Sequence, residues 1–280
     1  MLGEYKLNEI YNEDCYEAIK KIPDQSVDCI YVDVPYLYQT GGAGTSDIAK
    51  RAVKQKLDLL GKKKMYDSNK SNRENLRIAM NKNKGSVDFE DLSNGFNYKL
   101  FIEEAFRIMK KPNMFIWCSP MQILDLMNEI NKYCSNTITI LIWNKTNPIP
   151  TTNNLWLSDL EYCLYVRDGI KLNDGYELKS KWYTSPINKA DKDLYDHPTI
   201  KPLELVKRHL LHTTQPNDIV ADFFLGSGTT CVAAKELNRQ YIGFEIDKQY
   251  YDIAVKRLNG INANGQASIF TNFEQMGEDI

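Results

Sequence analysis

Ala221-Asp222-Phe223-Phe224-Leu225-Gly226-Ser227-Gly228-Thr229-Thr230 runs from an apolar segment into two glycines and on into residues that suit the start of a helix. Such a string reads as a buried strand that breaks into a tight turn and reopens as a helix, the geometry that cradles a nucleotide-like cofactor. A second string, Asp33-Val34-Pro35-Tyr36, directly follows the apolar run Val27-Asp28-Cys29-Ile30-Tyr31-Val32, so it too falls at the carboxyl end of an expected strand. Two strand-end sites of this kind imply one composite pocket.

Working outward, β-branched and aromatic runs at 27–32, 113–118, 137–143, 160–166, 218–224 and 240–246 alternate with helical patterns at 98–110, 202–212, 227–237 and 248–258. Ser119-Pro120-Met121-Gln122 adds a helix start, with a serine cap, proline in the first turn and glutamine three residues on. That alternation predicts an α/β fold with a mainly parallel sheet covered by helices. Residues 37–97 are far too long for an ordinary connection, and residues 169–196 are polar with interleaved aromatics including Trp182 and Tyr183. The expected organisation is one domain over 1–258, a basic insertion at 37–97, a short target-recognition segment at 169–196 and a polar tail at 259–280.

At 280 residues and 42% hydrophobic content the chain can bury a sizeable core. No apolar run approaches the length of a bilayer span, and the first residues lack a basic stretch followed by an apolar one, so the expected compartment is the cytoplasm, away from membranes. The six cysteines are scattered and mostly embedded in apolar stretches, which predicts buried free thiols. His209 and His212 lie one helical turn apart, but no carboxylate or cysteine nearby completes a ligand set, and no metal is expected. The net charge of -2 hides an imbalance: residues 50–84 hold twelve basic side chains against three acidic ones, including Lys62, Lys63 and Lys64. A local positive stretch on an acidic body is an electrostatic footprint for a polyanion.

The glycine turn lacks the lysine of a phosphate-binding loop, since Thr229 and Thr230 follow Gly228, and it lacks the third glycine of the nicotinamide fingerprint. Glu245 ends the next expected strand, where an acidic side chain accepts from a ribose diol, and this favours an adenosine-containing cofactor. In the other string, a carboxylate beside a proline-stiffened turn and an aromatic ring can grip a flat amino-bearing heterocycle. Hydrogen bonds from such an amine to Asp33 and to the backbone carbonyl after it draw the nitrogen lone pair out of the ring. The amine can then attack an electrophilic carbon without a covalent enzyme intermediate.

These strings together resemble the amino-methylating DNA methyltransferases that use S-adenosylmethionine, in the circularly permuted group where the catalytic string precedes the cofactor string. Asp33 to Tyr36 is similar to their Asp-Pro-Pro-Tyr motif, with Val34 in place of proline, and Asp222 to Thr230 to their Phe-x-Gly-x-Gly motif. His197-Pro198-Thr199-Ile200-Lys201-Pro202, Asn12-Glu13-Asp14-Cys15, Trp143-Asn144-Lys145 and residues 158–166 also follow the group's run.

The resemblance implies a doubly wound, mostly parallel, seven-stranded Rossmann-like sheet with helices on both faces and a permuted strand order. It implies that Asp33, Pro35 and Tyr36 engage the target base, while Asp222, Phe223, Gly226, Ser227, Gly228 and Thr229 shape the cofactor cradle. Thr199 and Lys201, with His197 in the same string, would meet the methionine portion, Glu245 the ribose and Asp14 the adenine. The implied substrate is double-stranded DNA, gripped by Lys62, Lys63 and Lys64 and read by Trp182 and Tyr183. The group also accommodates a homodimer and a companion restriction enzyme.

Aspartate at the head of the catalytic string leans toward adenine N6 over cytosine N4. An RNA or protein methyltransferase shares the chemistry, although the protein type usually carries asparagine where Asp33 stands. A nucleic-acid-binding subunit without activity is the third alternative, and the intact Asp33, Tyr36, Gly226, Gly228 and Glu245 speak against it.

Overall fold

The computed structural model describes residues 1–35, 96–134, 138–148, 156–173, 175, 179–187, 195 and 200–261. The chain divides into two compact units, one formed by Met1–Val34 with Leu100–Ile280 and the other by Pro35–Lys99. In the second unit the described residues are Pro35 and Phe96 to Lys99, where the Phe96 ring meets Tyr98 edge-on at 5.0 Å.

In chain order the elements are β1 (Glu9–Tyr11), α1 (Cys15–Lys21), β2 (Cys29–Asp33), α2 (Tyr98–Ile108), β3 (Asn113–Cys118), α3 (Ile123–Ile130), β4 (Ile138–Lys145) and β5 (Leu160–Arg167). There follow β6 (Trp182–Ser185), α4 (Leu203–Thr213), β7 (Ile219–Asp222), α5 (Thr229–Glu236), β8 (Gln240–Phe244) and α6 (Lys248–Leu258). All eight strands join one sheet in the order β1-β8-β7-β2-β3-β5-β4-β6. Pairing is parallel except where β5 runs antiparallel to both β3 and β4.

Among the described residues the sheet has eight strands where the resemblance implied seven, and the two strands beyond the six runs marked in the sequence, β1 and β6, are at its edges. β1 is three residues long, too short to show a period. β6 lies inside the segment 169–196 that the sequence set apart as an excursion, and it pairs parallel with β4 from Ile142↔Trp182 to Lys145↔Ser185. Its four side chains are never fully buried, so the hydrophobic signal of a core strand is missing. α1 was likewise silent in the sequence; it starts because Asp14 caps it, Oδ1 accepting from the amides of Tyr16 at 2.8 Å and Glu17 at 3.3 Å. The helix expected after Ser119 opens as a 3₁₀ turn, Pro120–Gln122, with Gln122 Oε1 accepting from the Ser119 amide.

Both faces of the central strands are sealed. Tyr31, Phe115 and Tyr165 stand in register across β2, β3 and β5 and stack ring on ring, Phe115 on Tyr165 at 4.2 Å. Leu205, Val206 and Leu210 of α4, Ala233 and Ala234 of α5 and Ala254 of α6 close over that face. Ile30 and Val32 alternate to the other face and are equally inaccessible, each such side chain contributing about 1.5–3 kcal/mol by burial. The six cysteines are buried free thiols.

Strand order fixes where a ligand can enter. β2 and β7 are hydrogen-bonded neighbours, with Cys29↔Val220 and Ile30↔Ala221, although most of the chain separates them. The connection leaving β2 leads to β3 on one side, and that leaving β7 leads to β8 on the other, so a crevice opens beyond their carboxyl ends.

Candidate active site

Asp33 and the glycine turn both lie at those carboxyl ends. Asp33 ends β2 and Asp222 ends β7, each one step beyond or level with a paired residue of its neighbour. After Asp222 the chain turns through Gly226 at φ 53° and Gly228 at φ 81° before α5 begins. These left-handed conformations favour glycine, and a methyl group at Gly228 would stand 3.2 Å from the Ala254 Cβ. Glu245, just past β8, holds the loop through its carboxylate: Oε2 accepts from the Gly226 amide at 2.8 Å and Oε1 from the Asp247 amide at 2.8 Å. Burial raises the Glu245 pKa, although these two amides act to lower it.

From the opposite side Arg257 of α6, itself buried, donates to Thr229 Oγ1 at 2.7 Å and Ser227 Oγ at 3.1 Å. The β1 end joins the same wall, where Asn12 Nδ2 donates to the Glu245 carbonyl at 2.7 Å and the Glu245 amide donates to the Tyr11 carbonyl at 3.0 Å. Asp14 follows within two residues, with its carboxylate engaged as the α1 cap.

Asp222 is 3% exposed. Its pKa is pushed up to about 7, chiefly by burial and further by the charges of Asp33 and Glu245, against hydrogen bonds from Thr230 and the Phe224 amide. The charges of Asp33 and Glu245 thus both reach Asp222.

The Asp33 side is built from side chains. Strand register carries Asp33 opposite Trp117, Trp117 opposite Cys163 and Glu161 opposite Trp143, so Asp33, Trp117, Glu161, Trp143 and Lys145 share one face. Lys201, arriving just before α4, reaches this face with Nζ 2.7 Å from Asp33 Oδ2 and 2.8 Å from Glu161 Oε2. Lys145 Nζ is 2.7 Å from Glu161 Oε1. The Lys201 ammonium also stands over the Trp117 ring, 5.1 Å from its centre. Burial acts to lower the Lys201 pKa, but the carboxylates of Asp33 and Glu161 outweigh it and hold it above the ordinary lysine value. Burial acts to raise the Glu161 pKa, and Lys201 and Lys145 together bring it down to about 2. Beneath Trp117 its indole N–H donates to Tyr31 Oη at 2.9 Å, and Tyr31 Oη meets His209 Nδ1 at 3.2 Å. Burial above all, with Arg208 and His212, lowers the His209 pKa to about 3 and keeps the imidazole neutral.

Of the expected site residues, the structure thus brings together Asp33, Lys201, Asp222, Gly226, Ser227, Gly228, Thr229 and Glu245, with Asp14 on the adjoining β1–α1 turn. Phe223 has its ring 1% exposed and stacked on Phe244 at 5.3 Å, inside the core. Phe224, two residues before Gly226 and so the ring that matches Phe-x-Gly-x-Gly, is the partly open one. Trp182 and Tyr183 lie on the edge strand β6, Trp182 46% exposed and the Tyr183 ring under the Arg208 guanidinium at 5.7 Å. Tyr36, His197, Thr199, Lys62, Lys63 and Lys64 lie outside the described residues.

Sequence reasoning passed over Glu161, Lys145, Trp117 and Arg257 as site residues. Glu161 carried a signal, a lone carboxylate in the apolar run of β5. Among the described residues no three His, Cys, Asp or Glu side chains could share a metal ion, and no helix is long and apolar enough to cross a membrane.

Comparison with known proteins agrees with this geometry. Residues 27–256 match the DNA methylase family of the N6/N4 type. Type II methyltransferase M2.DpnII of Streptococcus pneumoniae is 30% identical over 90% of this chain and 90% of its own. Among solved structures, the M1.HpyAVI–SAM complex superposes with a TM-score of 0.58 at 23% identity, covering 89% of this chain and 98% of that one. PvuII DNA methyltransferase, described as cytosine-N4-specific, does so with a TM-score of 0.58 at 14% identity over 90% and 93%. The family match over most of its length shows that the chain belongs to the S-adenosylmethionine-dependent amino DNA methyltransferases, and its strand order agrees with their permuted group.

Proposed function

We propose that the chain is a site-specific DNA methyltransferase that moves the methyl group of S-adenosylmethionine to the exocyclic N6 of adenine. One observation carries the reading: β2 and β7 are parallel neighbours at the switch point, so Asp33 and the glycine turn face one crevice.

The residues fit the cofactor. A left-handed glycine turn whose amide is held by Glu245 suits the close approach of an adenosyl group. Glu245 would take the ribose hydroxyls, Phe224 would line the entry, and Arg257 would steady Ser227 and Thr229 in the cradle. When bound, S-adenosylmethionine supplies a sulfonium methyl: the nitrogen–carbon bond forms as the sulfur–carbon bond breaks, its electron pair goes to sulfur, and the amine proton leaves to water.

Asp33 accepts a hydrogen bond from the adenine amine and so returns lone-pair density to nitrogen. Carboxylate rather than serine at this position favours the adenine amine over that of cytosine. The family resemblance also gives Pro35 and Tyr36 to the target base. The base must leave the duplex stack at a cost of a few kcal/mol, which phosphate contacts offset. Lys62, Lys63 and Lys64 would supply such contacts, and Trp182 and Tyr183 on the exposed edge strand would meet the DNA. The type II relatives point to a companion restriction enzyme, and the group to a homodimer.

The test is incubation with labelled S-adenosylmethionine and unmethylated DNA, followed by nucleoside mass analysis. N6-methyladenine is the expected product; label only in N4-methylcytosine, or only in RNA, would contradict the proposal. In the same assay Asp33→Ala is expected to lower transfer on the order of 10³-fold with cofactor affinity within a few-fold of the parent.

A further inference from the structure

Glu161 lies in the run 158–166 that follows the family's pattern, but the resemblance gives it no role, and it stands at the centre of the charged array behind Asp33. Its two carboxylate oxygens serve two lysines from different parts of the chain, Oε1 at 2.7 Å from Lys145 and Oε2 at 2.8 Å from Lys201. Lys201 in turn stands 2.7 Å from Asp33, 168 positions away in sequence. The side chains of Glu161 and Lys201 are 17% and 12% exposed.

We infer that Glu161 is a positioning residue for methyl transfer, holding the Lys201 ammonium at a fixed place on Asp33 so that the carboxylate keeps its orientation toward the incoming amine. This role rests on the methyltransferase reading above and deepens it. The array of Asp33, Lys201, Glu161 and Lys145 balances two negative charges with two positive ones. Without the Glu161 charge, Lys201 leans on the Asp33 carboxylate 2.7 Å away, draws more of its electron density and leaves it a poorer acceptor for the amine. Trp117 limits where the ammonium can go, its ring lying under Nζ and its N–H tied to Tyr31. Among the described residues the groups within electrostatic reach of Lys201 are Asp33 from β2, Cys118 from β3, and Glu161 and Cys163 from β5, with the Trp117 ring under its ammonium and Lys145 of β4 behind Glu161.

The experiment compares the full chain with Glu161→Gln on unmethylated DNA, measuring kcat, KM for DNA, cofactor Kd and the pH profile of kcat. The variant is expected to lose about 10–100-fold in kcat, since displacement of a catalytic group costs that much, with KM and Kd within about threefold. Removing one of the two carboxylates that raise the Lys201 pKa lets burial pull it down. A new ionisation should therefore enter the alkaline limb of the variant's profile and be absent from the parent. A merely structural carboxylate would not move that profile.

Parental kcat in the variant, or a loss without the new ionisation, overturns the role of Glu161 while leaving the function intact. A parent chain that transfers no methyl to DNA overturns the functional reading, and the role of Glu161 with it. If Glu161→Gln fails to fold, Glu161→Asp carries the test: it keeps the charge one methylene short, so kcat should fall with no new ionisation, and an unchanged kcat overturns the proposal.

Discussion

The two sides of the crevice are made of different materials. On the glycine-turn side the parts are main chain: a left-handed pair of glycines, amides gathered by Glu245, and a helix that starts at Thr229. On the Asp33 side they are side chains, Asp33, Trp117, Glu161, Trp143 and Lys145, brought from four strands with Lys201 laid across them. The first side is written in consecutive residues because backbone shape is local; the second exists only once the strands are in register. Turn residues should therefore govern cofactor affinity and stability, and the charged array should govern turnover.

The larger effect that sharpens this contrast is a pH dependence at Asp222. Its folded pKa of about 7 lies above the ordinary carboxylate value, so the folded chain holds a proton that the unfolded chain releases first. Below pH about 4 Asp222 costs nothing; between pH about 4 and 7 the folded chain keeps a proton that the unfolded chain has already lost, and stability falls by at most about 4 kcal/mol. Asp222→Asn should escape that loss, so its advantage in urea-unfolding free energy over the parent should be larger at pH 7.5 than at pH 4.5. Equal differences at the two values would mean that burial does not govern this carboxyl.

Gly228→Ala should act more gently, because it forces a side chain into φ 81° and sets its methyl 3.2 Å from Ala254 Cβ. The strain is about 1–2 kcal/mol, and cofactor Kd should weaken about tenfold while kcat at saturation stays near the parent's. A loss confined to kcat would erase the distinction between the two sides.

The same difference explains how much could be read before the fold was known. The α/β alternation, the glycine turn, Glu245 and Asp33 all announced themselves, since each depends on neighbours in sequence. The edge strands did not: β1 spans three residues, and the side chains of β6 are exposed or half-buried, so neither produces a hydrophobic period. Lys201 was visible, but its ion pairs with Asp33 and Glu161 were not. Glu161 joined the site only through the pairing Trp143↔Glu161 and the alternation from Cys163, information held in the register between strands. Phe223 and Phe224 differ by one position, and the pleat sends one ring into the core and leaves the other partly open.

The central claim is that the two strings serve one crevice, and a crystal structure with sinefungin, whose amine replaces the methyl-bearing sulfonium, tests it most directly. The account predicts the ribose on Glu245, the adenosyl group against the glycine turn, and the analogue's amine directed at the Asp33 carboxylate at about 3–3.5 Å or through one water. An analogue bound away from the glycine turn, or seated there with its amine directed away from Asp33, would contradict it.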